Sequence, residues 1–179
     1  MSAETAGVTA ADRVWHWLEA VPDPEIPVLS VLDLGIVRDV QWNGGEADEC
    51  LVTVTPTYSG CPATDVISDD ISKALHEHGV QKVRVQIRLA PAWTTDWLRP
   101  QAREKLCDYG IAPPVGLASN EHVVDISRLR ASNKKPLQID CPRCGSTHTA
   151  LTSQFGSTPC KSLYRCLDCL EPFDYFKCH

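Results

Sequence analysis

The chain has 179 residues, 43% of them apolar and 22% charged, enough for an ordinary globular core with a further small module and too apolar for wholesale disorder. A formal net charge of -6 argues against a general nucleic-acid binder, which needs a basic face to neutralise phosphates. No basic start leads into an apolar run and no stretch of eighteen apolar residues occurs, so the expectation is a soluble, cytoplasmic protein without a membrane partner.

Thr9-Ala-Ala-Asp12 has the form of a capping box, and Val14, Trp17, Leu18 and Val21 follow at helical spacing until Pro22 and Pro24 close the helix. Asp23-Pro24-Glu25-Ile26-Pro27 then holds two carboxylates on a stiff turn, able to orient a water, to bind a cation or to cap the segment from Ser30 to Leu34. Residues 35–42 and 50–56 alternate apolar and polar side chains around Asn43-Gly44-Gly45, which predicts a β-hairpin. Beyond Tyr58-Ser59-Gly60-Cys61-Pro62, the stripe Val66, Ile67, Ile71, Ala74, Leu75, His78 predicts a helix over 62–78 that Gly79 ends. Residues 80–89 alternate again as a third strand. A helical stretch at 95–109 follows, packing Trp97, Leu98 and Leu106, with Pro100 either in its first turn or kinking it. The order α-β-β-α-β-α predicts a compact α+β domain over residues 1–110.

Residues 111–136 mix Pro, Gly, Ser and Lys around one short strand-like run at 122–126, and predict a linker in which Arg128, Arg130, Lys134 and Lys135 are solvated charges. Residues 137–179 predict a β-rich ribbon, with strands at 147–155 and 161–166. Some forty residues bury too little apolar surface to fold alone, so a cross-link is expected.

The cysteines say which kind. Nine thiols, an odd count, in a cytoplasmic chain point to metal chemistry rather than a disulfide framework. Cys141/Cys144 and Cys166/Cys169 form two Cys-x-x-Cys turns separated by 21 residues, a spacing that aims four sulfurs at one tetrahedral ion. A structural Zn²⁺ is the expectation; an iron-sulfur cluster uses the same four thiolates, so composition leaves it open. Cys160, Cys178 and His179 crowd the same module as packed residues or substitute ligands.

Cys61 is the other candidate. Between Gly60 and Pro62 it is expected at the helix N-cap, where unbonded N–H groups and the helix dipole favour a thiolate. The dipole is worth about 0.3 to 1 kcal/mol, and Asp65, Asp69 and Asp70 oppose it. Cys61 therefore reads as a metal or cluster ligand before a free nucleophile, with an inert packed thiol as the plainer alternative. Cys50 and Cys107 read as buried thiols, Trp93 and Trp97 as core or lid residues, and His76 and His78 lack a matching ligand pair. With no phosphate loop, Ser-His-Asp order or HExxH motif, a self-contained enzyme has little support.

The motifs DPEIPVLSVLDLGIV at 23–37, TVTPTYSGCP at 53–62 and PAWTTDW at 91–97 resemble the SufT-like metal-sulfur cluster assembly family over roughly residues 12–110. With CPRCGS, FGSTPCK and the ending YRCLDCLEPFDYFKCH, the whole chain resembles the phenylacetate-degradation branch of that family. The resemblance implies an accessory protein, not an enzyme, that matures the iron-sulfur cluster of the reductase component of phenylacetyl-CoA epoxidase. It also implies that Cys61 is the functional thiol, holding a transient cluster or iron, with Asp23 and Glu25 in the signature loop. The implied partners are that client and a cluster scaffold or carrier, with homodimerisation admitted. A docking role within the epoxidase complex, as a structural subunit without cluster transfer, is the alternative.

Overall fold

In a computed structural model that describes residues 9–45, 48–116 and 138–177, the chain divides into two compact units, residues 1–93 with 97–102 and residues 94–96 with 103–179. Among the described residues, no helix is long and apolar enough to cross a membrane. The run at 122–126, the four cations near it, Cys178 and His179 lie outside the described residues.

Helix α1, Ala10–Leu18, begins at the predicted box: Asp12 N–H donates to Thr9 Oγ1 at 3.1 Å and Thr9 N–H donates to Asp12 Oδ2 at 2.9 Å. The Thr9 hydrogen bonds hold the Asp12 carboxyl below the usual carboxylate range. Strand β1, Val37–Gln41, pairs antiparallel with β2, Glu49–Val54. Helix α2, Ala63–Glu77, then carries the chain across so that β3, Lys82–Ile87, lies parallel to β2 in a sheet of order β1-β2-β3. Val14, Leu18, Cys50, Val52, Ile71 and Leu75 are at 0% exposure in this unit's core.

The structure corrects two local expectations. The buried stripe of α2 is Ala63, Ile67, Ile71 and Leu75, a strict four-residue spacing, while Val66 turns to solvent at 47% exposure. His78 leaves the stripe at the helix end and stacks on Trp17 with ring centres 4.6 Å apart. The stretch at 95–109 divides into a 3-10 turn, Thr95–Trp97, and helix α3, Pro100–Tyr109. Pro100 takes the first helical position because a ring without an N–H fits only where none is needed.

In the second unit β4, Ile111–Ala112, β5, Thr149–Ser153, β6, Lys161–Cys166, and β7, Pro172–Phe176, form a sheet of order β4-β7-β6-β5. Strand β4 opens the stretch expected to be linker. Strand β7 adds to the two expected ribbon strands, and its Phe173 and Tyr175 alternate as a half-buried strand should. The core is small: Ala112, Ile139, Tyr164, Phe173 and Tyr175 gather around the buried cysteines Cys141 and Cys166. Cys107 on α3 is exposed rather than buried, one residue past buried Leu106 and thus turned about 100° away from it.

Candidate metal centre and Cys61

The turns CPRCG and CLDCL are built alike. The first cysteine of each donates its N–H to the carbonyl five residues on, Cys141 to Ser146 at 2.9 Å and Cys166 to Glu171 at 3.0 Å. The residue after the second cysteine is left-handed in both, Gly145 at φ 72° and Leu170 at φ 67°. Glycine adopts that conformation freely, whereas in leucine it costs roughly 1–2 kcal/mol. Pairing of Thr149 with Cys166 across β5 and β6 brings the turns together, and Leu167 N–H donates to His148 O at 2.8 Å. Asp168 straps them: its carboxylate accepts from Ser146 Oγ and meets His148 Nδ1 at 3.1 Å. Ser146, His148 and Asp168 carry no ligand signal in the sequence, and only the strand register reveals their role.

The sulfurs of Cys141, Cys144, Cys166 and Cys169 lie within 4.8 Å of one another. Cys141 Sγ is 3.8 Å from Cys169 Sγ, and Cys144 Sγ is 3.6 Å from Cys166 Sγ. Four sulfurs at about 2.3 Å from a tetrahedral ion stand about 3.8 Å apart, so the donor set fits a metal as it is. Without an ion the sulfurs do not share charge evenly. The Cys169 amide, helped by that of Asp168, pulls the Cys166 thiol down to about 6. Cys169, although the Glu171 amide favours its thiolate, is pushed up to about 12 by burial and by the other sulfurs. Cys144 is likewise raised, so metal entry must displace protons from Cys144 and Cys169. Cys160 is buried, with its sulfur 3.0 Å from Thr158 Oγ1, and is not one of the clustered four.

Cys61 is half-buried, in a turn where its N–H donates to Tyr58 O at 3.3 Å. Its carbonyl accepts from Thr64 N at 3.2 Å and Thr64 Oγ1 at 2.8 Å, which starts α2. The N-cap is Pro62, one residue later than expected, and it has no side chain able to cap. Pro62 already has helical angles, φ -66° and ψ -21°, so the orphan amides of α2 lie a residue beyond Cys61. Gly60, at φ 86°, has no other described residue within 4 Å of where a Cβ would be beyond its chain neighbours, which leaves that side of the turn beside Cys61 open among the described residues.

The buried Asp23 carboxylate caps its own turn rather than Ser30 to Leu34, its Oδ1 accepting from Glu25 N at 2.9 Å and Ile26 N at 2.7 Å. The later segment is capped from within. Ser30 N donates to Asp33 Oδ2 at 3.1 Å and Asp33 N donates to Ser30 Oγ at 3.0 Å. Asp33, 1% exposed, also receives Gln101 Nε2 at 3.2 Å on its carboxylate and Arg99 N at 3.0 Å on its carbonyl. Trp93 is a core residue whose Nε1 donates to Leu34 O at 2.9 Å, and Arg38 lies 3.5 Å over the Trp97 ring. Trp93 and Trp97 of PAWTTDW are thereby held against Leu34 and Arg38, while Asp33 ties down Arg99 and Gln101 just beyond, a role that its sequence context does not announce. Among the described residues, the four ribbon cysteines are the only group of three or more close metal-ligating side chains; Cys61, Asp23 and Glu25 are not gathered into one.

Residues 127–177 match the family model described as PaaD zinc beta ribbon domain, and residues 11–87 match the one described as iron-sulfur cluster assembly protein. Over 166 residues the chain is 49% identical to an Escherichia coli K12 protein provisionally named as a component of 1,2-phenylacetyl-CoA epoxidase, covering 93% of this chain and 92% of that one. The chain belongs to the PaaD family. Its first part is also 36% identical over 96 residues to an Fe-S protein maturation auxiliary factor of Porphyromonas gingivalis, covering 53% of this chain and 89% of that protein. A Staphylococcus aureus Fe-S protein maturation auxiliary factor, SufT, is 33% identical over 84 residues, covering 46% of this chain and 92% of that protein. In this PaaD-family chain the assembly match spans Asp23, Glu25 and Cys61, and the ribbon match spans all four clustered cysteines.

Burial sorts the remaining thiols. Cys50 is at 0% exposure and burial pushes its thiol up to about 11, whereas Cys107 is exposed. Alkylation of the native protein at pH 8, followed by peptide mapping, is expected to modify Cys107 and Cys61 at least about 100-fold faster than Cys50. Equal rates for Cys50 and Cys107 would contradict the packing of β2.

Proposed function

We propose that this chain is a non-catalytic accessory protein of aerobic phenylacetate degradation that matures the iron-sulfur cluster of the epoxidase's reductase component. The observation that carries this is the joining, in one chain, of an assembly-family unit containing Cys61 to a PaaD-type ribbon. Cys61 takes the cargo, iron or a cluster, losing its thiol proton as the metal binds. Its half-exposed position on the turn after Gly60 allows a donor scaffold or carrier to hand over and a client to collect. Asp23 positions the signature loop by holding the Glu25 and Ile26 amides, and half-buried Glu25 is the carboxylate of that loop assigned beside the cargo. In the ribbon, Cys141, Cys144, Cys166 and Cys169 would hold Zn²⁺, which supplies a cross-link between the two turns. The ribbon's role is then to recognise the client.

Cys61→Ser, in cells growing on phenylacetate, is expected to leave the reductase with several-fold less iron and sulfide per chain while the variant itself stays folded. A fully loaded reductase would sink the cluster-transfer role. The second reading, a structural component that docks within the epoxidase, draws on the name of the Escherichia coli relative. It would be favoured by stoichiometric co-elution of this chain with the epoxidase through gel filtration, together with normal cluster loading in Cys61→Ser.

A further inference from the structure

Strand β3 is an edge of the first sheet, paired with β2 on one side and, among the described residues, with no strand on the other. Arg88 N–H donates inward to Val54 O at 2.8 Å, so by the alternation of a strand the N–H and C=O groups of Val83, Val85 and Ile87 point outward. The side chains of these residues share a face with Cys50, Val52 and Val54, their register partners in the buried face of β2. That cover thins toward the end of the strand. Ile87 is 46% and Leu89 57% exposed. The opposite face carries Lys82, Arg84, Gln86 and Arg88, with Arg84 3.5 Å from Glu49 in an exposed ion pair.

An apolar edge with free amides is a template for strand addition, and the charges decide what can be added. A second copy of β3 pairing antiparallel must keep apolar residues on one face, which leaves three central registers. Centred on Arg84 the pairing opposes Arg84 with itself, centred on Val85 it opposes Lys82 with Arg88, and centred on Gln86 it opposes Arg84 with Arg88. Directly opposed like charges destabilise a pair, so each of these three central registers is disfavoured. The same cations favour a strand whose outer residues are carboxylates. We infer that β3 is a docking edge for an extended acidic segment of a partner protein, alternating apolar residues beside Val83, Val85 and Ile87 with Asp or Glu beside Lys82, Arg84 and Arg88. On a chain of net charge -6 this is a local basic strip, and it discriminates against other copies of the chain itself.

The test uses the full chain and two capped heptapeptides, Glu-Val-Glu-Val-Glu-Ile-Glu and Lys-Val-Lys-Val-Lys-Ile-Lys, with hydrogen exchange of β3 and calorimetric titration as readouts. The acidic peptide is expected to protect the Val83, Val85 and Ile87 amides and to bind at least about tenfold tighter than the basic one. Arg84→Glu/Arg88→Glu, both at exposed positions, should reverse the preference, and Val85→Pro, which removes one outward N–H and no β2 bond, should abolish protection by either peptide. Equal binding of the two peptides, or an acidic peptide that binds without protecting β3, would overturn the inference. So would a dimer by analytical ultracentrifugation whose formation protects these three amides. None of these readouts depends on cluster loading.

Discussion

Cys166→Ser is expected to strip the C-terminal unit of the proposed Zn²⁺ and, with it, of its cooperative fold. Cys166 lies at the end of β6, is fully buried, and accepts on its sulfur from the Cys169 amide at 3.4 Å. Serine is close in size but offers a hydroxyl that ionises far less readily, so the variant loses one of the four clustered donors. The apolar core around it is small, and a structural zinc site in such a module supplies roughly 10–16 kcal/mol at neutral pH. Zinc measured per chain should fall from one toward zero, and protease should cleave within residues 138–177 while residues 9–93 resist. A strong chelator applied to the unsubstituted protein should produce the same cleavage. Full retention of zinc in Cys166→Ser would require a replacement ligand from Cys160, Cys178 or His179.

Gly35→Ala is expected to be the most destabilising glycine substitution in the first unit. Gly35 is left-handed at φ 65°, and a Cβ there would stand 2.2 Å from Trp97 O and 2.9 Å from Trp97 C. Both atoms are backbone, and that backbone is tied down: Trp93 donates to Leu34 O, Arg99 to Asp33 O, and Arg38 covers the Trp97 ring. The left-handed conformation costs roughly 1–2 kcal/mol and overpacking a further 1–3, so a loss of about 2–5 kcal/mol is expected in urea unfolding. Gly79→Ala separates the two terms. Gly79 has φ 87° with nothing within 4 Å of its Cβ position, so only the conformational cost remains, about 1–2 kcal/mol. Equal losses for the two variants would mean that the close approach of Trp97 contributes nothing.

Much of both units is legible in local pattern because the signals are short-range. The Thr9/Asp12 box, the alternation of β1 and β2 around Asn43-Gly44-Gly45, and the helical recurrence of Ile67, Ile71 and Leu75 in α2 each act within a few residues. The same holds for the ribbon, where each Cys-x-x-Cys turn is a local structure and its ligand chemistry follows from spacing. Pattern and structure part where two local rules compete. Val66 and Ile67 are adjacent apolar residues that periodicity cannot rank, and the helix expected to start at Pro62 with Cys61 as its cap starts one residue later.

By itself, then, the sequence determined the α+β order, the two Cys-x-x-Cys turns and the singular position of Cys61 in SGCP, since each depends on residue type and spacing along the chain. Tertiary structure alone decided that β3 runs parallel to β2 with no further strand beside it among the described residues, that Asp168 straps the cysteine turns through Ser146 and His148, that Asp33 ties down Arg99 and Gln101, and that Trp97 closes on Gly35. The reason is distance along the chain. Asp33 and Gln101 are 68 residues apart, and His148 and Asp168 are 20 apart, so no periodicity relates them until the strands and turns between them have found their register.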